Sequence, residues 1–208
     1  MRNAVGVTLI LALLVALPAR AAVTPEEQQR IDGKKIVMII AKRDFRDEEL
    51  LKPKRFLESK GATVTVASSS LEPAKGMLGA VVKPDILLSN VKVDDFDVVI
   101  FVGGSGAAEY WNDPTAQAIA RKTVEQNKLL CAICIAPVTL ANAGVLKDKK
   151  ATVWASEGNK LKRAGIKYTG ADVEIEGKII TADGPTSAQK FAETIYRKLI
   201  EQTRPERK

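Results

Sequence analysis

Four short apolar runs, separated by turns and helical stretches, constrain the fold of this chain more than any other feature. They are residues 34–41 (KKIVMIIA), 63–67 (TVTVA), 97–102 (DVVIFV) and 129–133 (LLCAI). Three of them lack polar alternation and are rich in Val, Ile and Leu, as suits strands buried on both faces of a parallel sheet. The second alternates β-branched residues, also a strand signature. Helical patterns fall between and after them. One runs from about 48 to 60, with Asp47 as its expected N-cap and Gly61 at its end. Others cover 114–127, 137–143 (stopped at Gly144), 157–164 (with Ser156 as the expected cap) and 186–201. Residues 42–47 read as a polar turn and 68–79 as a loop. Segments 80–83 and 86–88 read as short edge elements around Pro84. Residues 151–153 look strand-like, and 173–175 with 179–181 read as a hairpin across Glu176-Gly177. This order predicts an α/β fold, a doubly wound, mostly parallel sheet with helices on both faces. Such sheets bind ligands beyond the carboxyl ends of their strands. Residues 44–49, 103–106 and Cys134 all follow strands and should meet at that edge.

The N-terminal 21 residues carry a different signal. Arg2 precedes an apolar stretch over residues 5–17, and Ala19-Arg20-Ala21 matches an A-x-A cleavage site. That is the layout of a secretory signal peptide. The apolar stretch is about two-thirds of the ~20 residues a spanning helix needs. A periplasmic or secreted protein is expected, with no membrane attachment after cleavage. Residues 22–33 then form a polar arm, 34–201 a single domain, and 202–208 a frayed tail. Lys and Arg exceed Asp and Glu by +7. The excess is scattered and not interleaved with aromatics, which argues against nucleic acid as a partner.

The chain has two cysteines and no histidine. Cys131 and Cys134 have the C-x-x-C spacing of redox pairs. Three residues along a strand span ~10 Å, however, and a disulfide needs Cα atoms within ~7 Å. Cys131 therefore reads as a small buried hydrophobe. Two Cys without His cannot complete a Cys/His metal site, and no metal or other cofactor is expected. Cys134 stands where a strand meets a helix opened by Pro137, and free N–H groups there favour a thiolate. Half-ionising a thiol of pKa ~8.5 near pH 7 takes about 2 kcal/mol. A helix terminus typically supplies ~0.3–1 kcal/mol, so another donor is needed. Without histidine, a protonated carboxylic acid could serve. Glu49 is one candidate, since an acid desolvated beside a thiolate keeps its proton. By local sequence alone, however, Glu48 and Glu49 read first as solvated helix-start acids favoured by the dipole. Gly103-Gly104-Ser105-Gly106 allows close backbone approach and could supply oxyanion donors. Its spacing fits neither a dinucleotide fingerprint nor a P-loop.

Taken in order, several segments resemble the ThiJ/PfpI family of the class I glutamine amidotransferase-like superfamily. They are residues 34–41, Glu49 with Pro53, DVVIFVGG at 97–104, Ala132-Ile133-Cys134 with Pro137, Ala143-Gly144-Val145-Leu146, and Gly184-Pro185. The resemblance implies a flavodoxin-like sandwich and a homodimer. It implies that Cys134 is the nucleophile-elbow cysteine, that Glu49 is the protonated acid beside it, and that Gly104 and the Ile135 N–H are oxyanion donors. Protease-like members carry His directly after the cysteine, where this chain has Ile135. Other members carry a His in a later strand, a position that falls on Trp154 here. The implied function is a glyoxalase- or deglycase-like activity on small reactive carbonyls. The alternative is a non-catalytic oxidative-stress thiol sensor or protective protein. A cysteine peptidase or amidase is disfavoured by the missing histidine.

Overall fold

The computed structural model describes residues 29–203. The expected signal peptide, the first part of the polar arm and the tail from 204 onward lie outside the described residues.

Strand β1 (Lys35–Ile40) is buried from its second residue onward. Ile36, Met38 and Ile40 point into one core, and Val37 and Ile39 into the other. β2 (Arg43–Phe45) follows, and then α1 (Asp47–Ser59). β3 (Thr63–Ser68) runs parallel to β1. β4 (Ala74–Gly76) and β5 (Val81–Val82) join β2 in a small side sheet, order β2-β4-β5. β6 (Ile86–Leu87) pairs with β3. β7 (Val98–Phe101) lies on the other side of β1. After α2 (Pro114–Glu125) comes β8 (Leu129–Ile133) and the six-residue α3 (Pro137–Asn142). β9 (Lys150–Ala151) and β10 (Lys167–Tyr168) flank α4 (Gly158–Arg163) and pair only with each other. β11 (Val173–Glu176) and β12 (Ile179–Ala182) form the expected hairpin, and α5 (Ala188–Thr203) closes the fold.

The main sheet has the order β11-β12-β8-β7-β1-β3-β6, and β11 is its one antiparallel member. This is a flavodoxin-like α/β fold. Leu50 and Leu57 of α1 and Phe191 and Ile195 of α5 cover one face. Ile119 of α2, Leu140 of α3 and Leu161 of α4 cover the other. Phe56 and Tyr196 join α1 to α5 edge-to-face at 5.7 Å. The chain leaves β1 for β3 on one side and returns to β7 on the other. The crevice at a reversal of this kind opens between the β1 and β7 ends.

Local differences from the sequence expectations have identifiable causes. Asp47 does not cap α1; Arg46 holds that position without a side-chain bond. The Asp47 carboxylate instead accepts the N–H groups of Leu78 at 2.9 Å and Ala80 at 2.7 Å, tying α1 to the β4–β5 hairpin. The polar turn at 42–47 contains β2, and the loop at 68–79 contains β4, because these short strands pair with each other. Ser156 does not cap α4; its hydroxyl donates to the Glu157 carboxylate, and Glu157 holds the cap position. Ile31 of the arm is buried, with its N–H bonded to the Lys60 carbonyl at 2.8 Å, so packing begins before residue 34. At the other end, α5 continues to Thr203. Among the described residues, no helix is long and apolar enough to cross a membrane.

Candidate active site

Along β8, Leu129, Cys131 and Ile133 face the core shared with α1 and α5, while Leu130 and Ala132 face the opposite one. Strand alternation would send Cys134 to the second face. It does not go there: Cys134 has φ +63°, and its side chain joins the first core. The left-handed turn thus points the thiol at the helix that carries Glu49. Such a φ is strained for a residue with a Cβ. It is held by hydrogen bonds on both sides, from the Cys134 N–H to the Ala182 carbonyl at 2.9 Å and from the Trp154 N–H to the Cys134 carbonyl at 2.8 Å.

Glu49 lies on the buried face of α1 with Leu50, Pro53 and Leu57, and is 0% exposed. Pro53, four residues on, has no N–H to give the Glu49 carbonyl. The carboxyl oxygen Oε2 accepts the Gly103 N–H at 3.1 Å. The other oxygen, Oε1, is buried without a hydrogen-bond partner among the described residues. The Glu49 carboxyl and the Cys134 thiol lie close enough to shift each other's ionisation. Gly103 permits this approach. A Cβ there would lie 2.5 Å from both Glu49 Oε2 and Cys134 Cβ.

Gly104 and Gly106 serve a related purpose. Gly104 has φ +96°, and a Cβ on it would lie 2.3 Å from the Asp44 carbonyl oxygen. A Cβ on Gly106 would lie 1.8 Å from that of Arg43. The glycine run is therefore packed directly on the backbone of the β2 segment, where the Arg46 N–H bonds the Gly103 carbonyl at 2.9 Å. The Gly104 and Ile135 N–H groups lie close enough to the thiol to favour its charged form.

Burial pushes the Glu49 carboxyl up to about 8, against the opposing pull of the Cys134 thiol and the Gly103 N–H. The Cys134 thiol, 8% exposed, is pushed up to about 12 by burial and then by the Glu49 charge, while the Gly104 and Ile135 N–H groups pull it down. The pair does not lose both protons near neutrality. When it holds one, the sulfur has two backbone donors and the carboxylate has one. The two groups therefore hold the one remaining proton in common, and the loss of charge belongs to the pair. The sequence reading credited α3 with favouring the thiolate. A six-residue helix is a weak source, and the immediate N–H groups and Glu49 carry that role instead. Cys131 is fully buried, free of any disulfide, and raised far above the usual thiol range by burial alone.

Cys134 opens onto a cavity of about 410 Å³ whose walls include Arg46, Met77, Trp111, Ile135, Trp154 and Glu157. Sequence reasoning missed Arg46, Trp111 and Glu157. Arg46 bonds Glu48 at 2.8 Å and lies near enough to Glu49 and Cys134 to feel their charges. Its signal was only a cation inside an apparently polar turn. Trp111 follows a 3₁₀ stretch, Ser105–Tyr110, that no periodicity announced. Among the described residues, no group of three or more His, Cys, Asp or Glu side chains is placed to hold a metal.

The DJ-1/PfpI family model matches residues 34–198. The chain belongs to the DJ-1/PfpI family. An uncharacterised protein of Methanocaldococcus jannaschii is 38% identical over 88% of this chain and 91% of its own length. The glutathione-independent glyoxalase DJR-1.2 of Caenorhabditis elegans is 30% identical over 76% of this chain and 85% of its own. Among solved structures, a ThiJ/PfpI domain protein from Brachyspira murdochii superposes with a TM-score of 0.79 at 30% identity, covering 83% of this chain and all of that one.

Proposed function

We propose that this chain is a cofactor-independent, glyoxalase- or deglycase-like enzyme that acts on small reactive carbonyls through Cys134, as a homodimer exported by its N-terminal 21 residues. The observation that carries this reading is the Cys134 thiol, turned by its positive φ onto the same face as the buried Glu49. The thiolate adds to the aldehyde carbon of an α-oxoaldehyde. The N–H groups of Gly104 and Ile135 stabilise the developing oxyanion, and Glu49 gives it a proton. Glu49, now a carboxylate, removes the hydrogen on that carbon as a proton and returns it to the neighbouring carbonyl carbon. The hydroxyl proton on the first carbon passes to the oxygen of the second, so the first carbon is oxidised to a thioester as the second is reduced to an alcohol. Water then cleaves the thioester, releasing a 2-hydroxy acid and restoring the thiol. No electron leaves the substrate.

Lactate release from methylglyoxal in glutathione-free buffer tests the reading. The wild type should form lactate and Cys134→Ala should lose at least about a hundredfold in kcat. Lactate formation retained in Cys134→Ala would exclude this mechanism, and none in the wild type would exclude this function. Export is tested by following the full chain to the periplasmic fraction of a bacterial host.

The donors around sulfur also favour a second reading, a thiol sensor in which Cys134 is oxidised to a sulfinate. Mild peroxide should then add two oxygens to the Cys134 peptide without loss of any turnover. A peptidase role is the weakest reading, because no histidine exists in the chain to activate the thiol.

A further inference from the structure

We propose that the cavity selects α-oxoaldehydes carrying an aryl or comparably bulky, uncharged apolar group over methylglyoxal. The inference rests on the reading of Cys134 as the carbonyl-reacting nucleophile and adds the class of substrate.

The first argument is size. The cavity beside Cys134 is about 410 Å³, within the ~300–1,000 Å³ of sites that enclose whole ligands. Methylglyoxal has a single methyl group beyond its two carbonyls and would leave most of that space to water. The second is lining. Met77, Ala108, Trp111, Ile135, Trp154 and Pro185 all border the cavity, and apolar walls of this kind gain by excluding water against an apolar substituent.

The third argument is how the two tryptophans are held. The Trp154 backbone N–H donates to the carbonyl of Cys134 at 2.8 Å. Its ring rests on Gly184, where a Cβ would lie 2.7 Å from Cε3. The ring is nonetheless 46% exposed. The Trp111 indole N–H donates to the carbonyl of Ile135 at 3.1 Å, and the Lys160 ammonium covers that ring at 4.9 Å. The Trp154 backbone and the Trp111 indole are thus tied to the carbonyls of the nucleophile and of the residue after it. A ring attached to a carbonyl at sulfur is held beside these walls, and aromatic pairs prefer this kind of offset or edge contact.

The fourth argument is charge. The charged residues on the wall are already paired, Arg46 with Glu48 and Glu157 with Lys160. The cavity does not hold out an uncommitted charge to a substrate anion, so an uncharged substituent is favoured.

The chemistry is that of the proposed function. Phenylglyoxal plus water becomes mandelate, with the aldehyde carbon oxidised and the ketone carbon reduced inside one molecule. Initial rates of mandelate and lactate formation by the full chain give kcat/KM for phenylglyoxal and methylglyoxal. The ratio should favour phenylglyoxal by about tenfold or more. Comparing variants cancels the intrinsic reactivity of the two aldehydes. Trp154→Ala, at a half-exposed ring, should lower that ratio about tenfold, mainly through KM for phenylglyoxal, with the melting profile confirming that the variant is folded. A ratio near one in the wild type, or a ratio unchanged by Trp154→Ala, overturns the inference even if methylglyoxal is consumed. If neither aldehyde is consumed, the reading of Cys134 fails, and saturation-transfer NMR with acetophenone decides the inference alone. Acetophenone carries the aryl ketone without the aldehyde. Binding weakened by Trp154→Ala supports the preference, and no binding overturns it.

Discussion

Cys134 pays for its orientation in backbone strain. With φ at +63°, a side chain costs roughly 1–2 kcal/mol relative to glycine. Cys134→Gly should therefore be about 1 kcal/mol more stable to urea than Cys134→Ala, although both lack the thiol. Glu49 makes the opposite kind of statement. Its folded pKa of about 8 lies above that of an unfolded carboxyl. The stability it contributes is fully present below the unfolded value, near 4.5, and is lost as pH rises through 8. Wild type should lose stability relative to Glu49→Gln, by up to a few kcal/mol, between pH 5 and 8 in urea titrations at fixed temperature. The carboxylates held low, such as Asp94 beside Lys122 and Gln126, lose their contributions only in more acid solution, so this window reports on Glu49. The same ionisation governs chemistry. In the proposed mechanism the pair must lose one proton to become reactive, so kcat/KM should climb with pH through about 8.

At the scale of elements, the site is made where three loops touch, and each contact depends on a small or charged residue. Asp47 opens α1 and also anchors the β4–β5 hairpin through Leu78 and Ala80. Met77 of that hairpin borders the cavity. Asp47→Asn keeps the shape but replaces a charged acceptor of two bonds, so it should cost about 1–3 kcal/mol and hasten proteolytic cutting at 76–80. The long strands and helices were legible in the sequence, because β1 after Lys35, β7 and β8 are apolar and their flanking helices are periodic. The short β2, β4 and β10 were not, since two or three residues hold no period and such strands exist only through their partners; β9 was legible only at Ala151, where the expected strand 151–153 overlaps it. Asp47 and Ser156 looked like caps because both precede helices. Each found a better-placed partner, one across the chain and one next door.

At the scale of the molecule, two cores sandwich a sheet whose central strands are buried on both sides. Phe191 of α5 is fully buried in the core that also receives Cys134. Phe191→Ala should cost about 3–5 kcal/mol, measured by urea unfolding, and loosen the face on which Glu49 and the thiol meet. The strand order brings the ends of β1, β7 and β8 side by side, with Phe101 level with both Ile39 and Ala132. That alignment puts residues 44–49, the glycine run and Cys134 within one crevice.

What the sequence determined by itself is the set of long elements, their parallel order and the convergence of three loops at one sheet edge, because these follow from apolar periodicity and turn chemistry. It also determined which helper the thiol could not have, since no histidine is present. What only the tertiary structure decided is orientation. Whether Cys134 faces Glu49 depends on one dihedral angle, and whether Glu49 is buried or solvated depends on which face of α1 meets the sheet. Whether the Gly104 N–H reaches sulfur depends on the backbone packed behind it. Contacts of this kind join residues far apart in the chain, and local pattern carries no record of them.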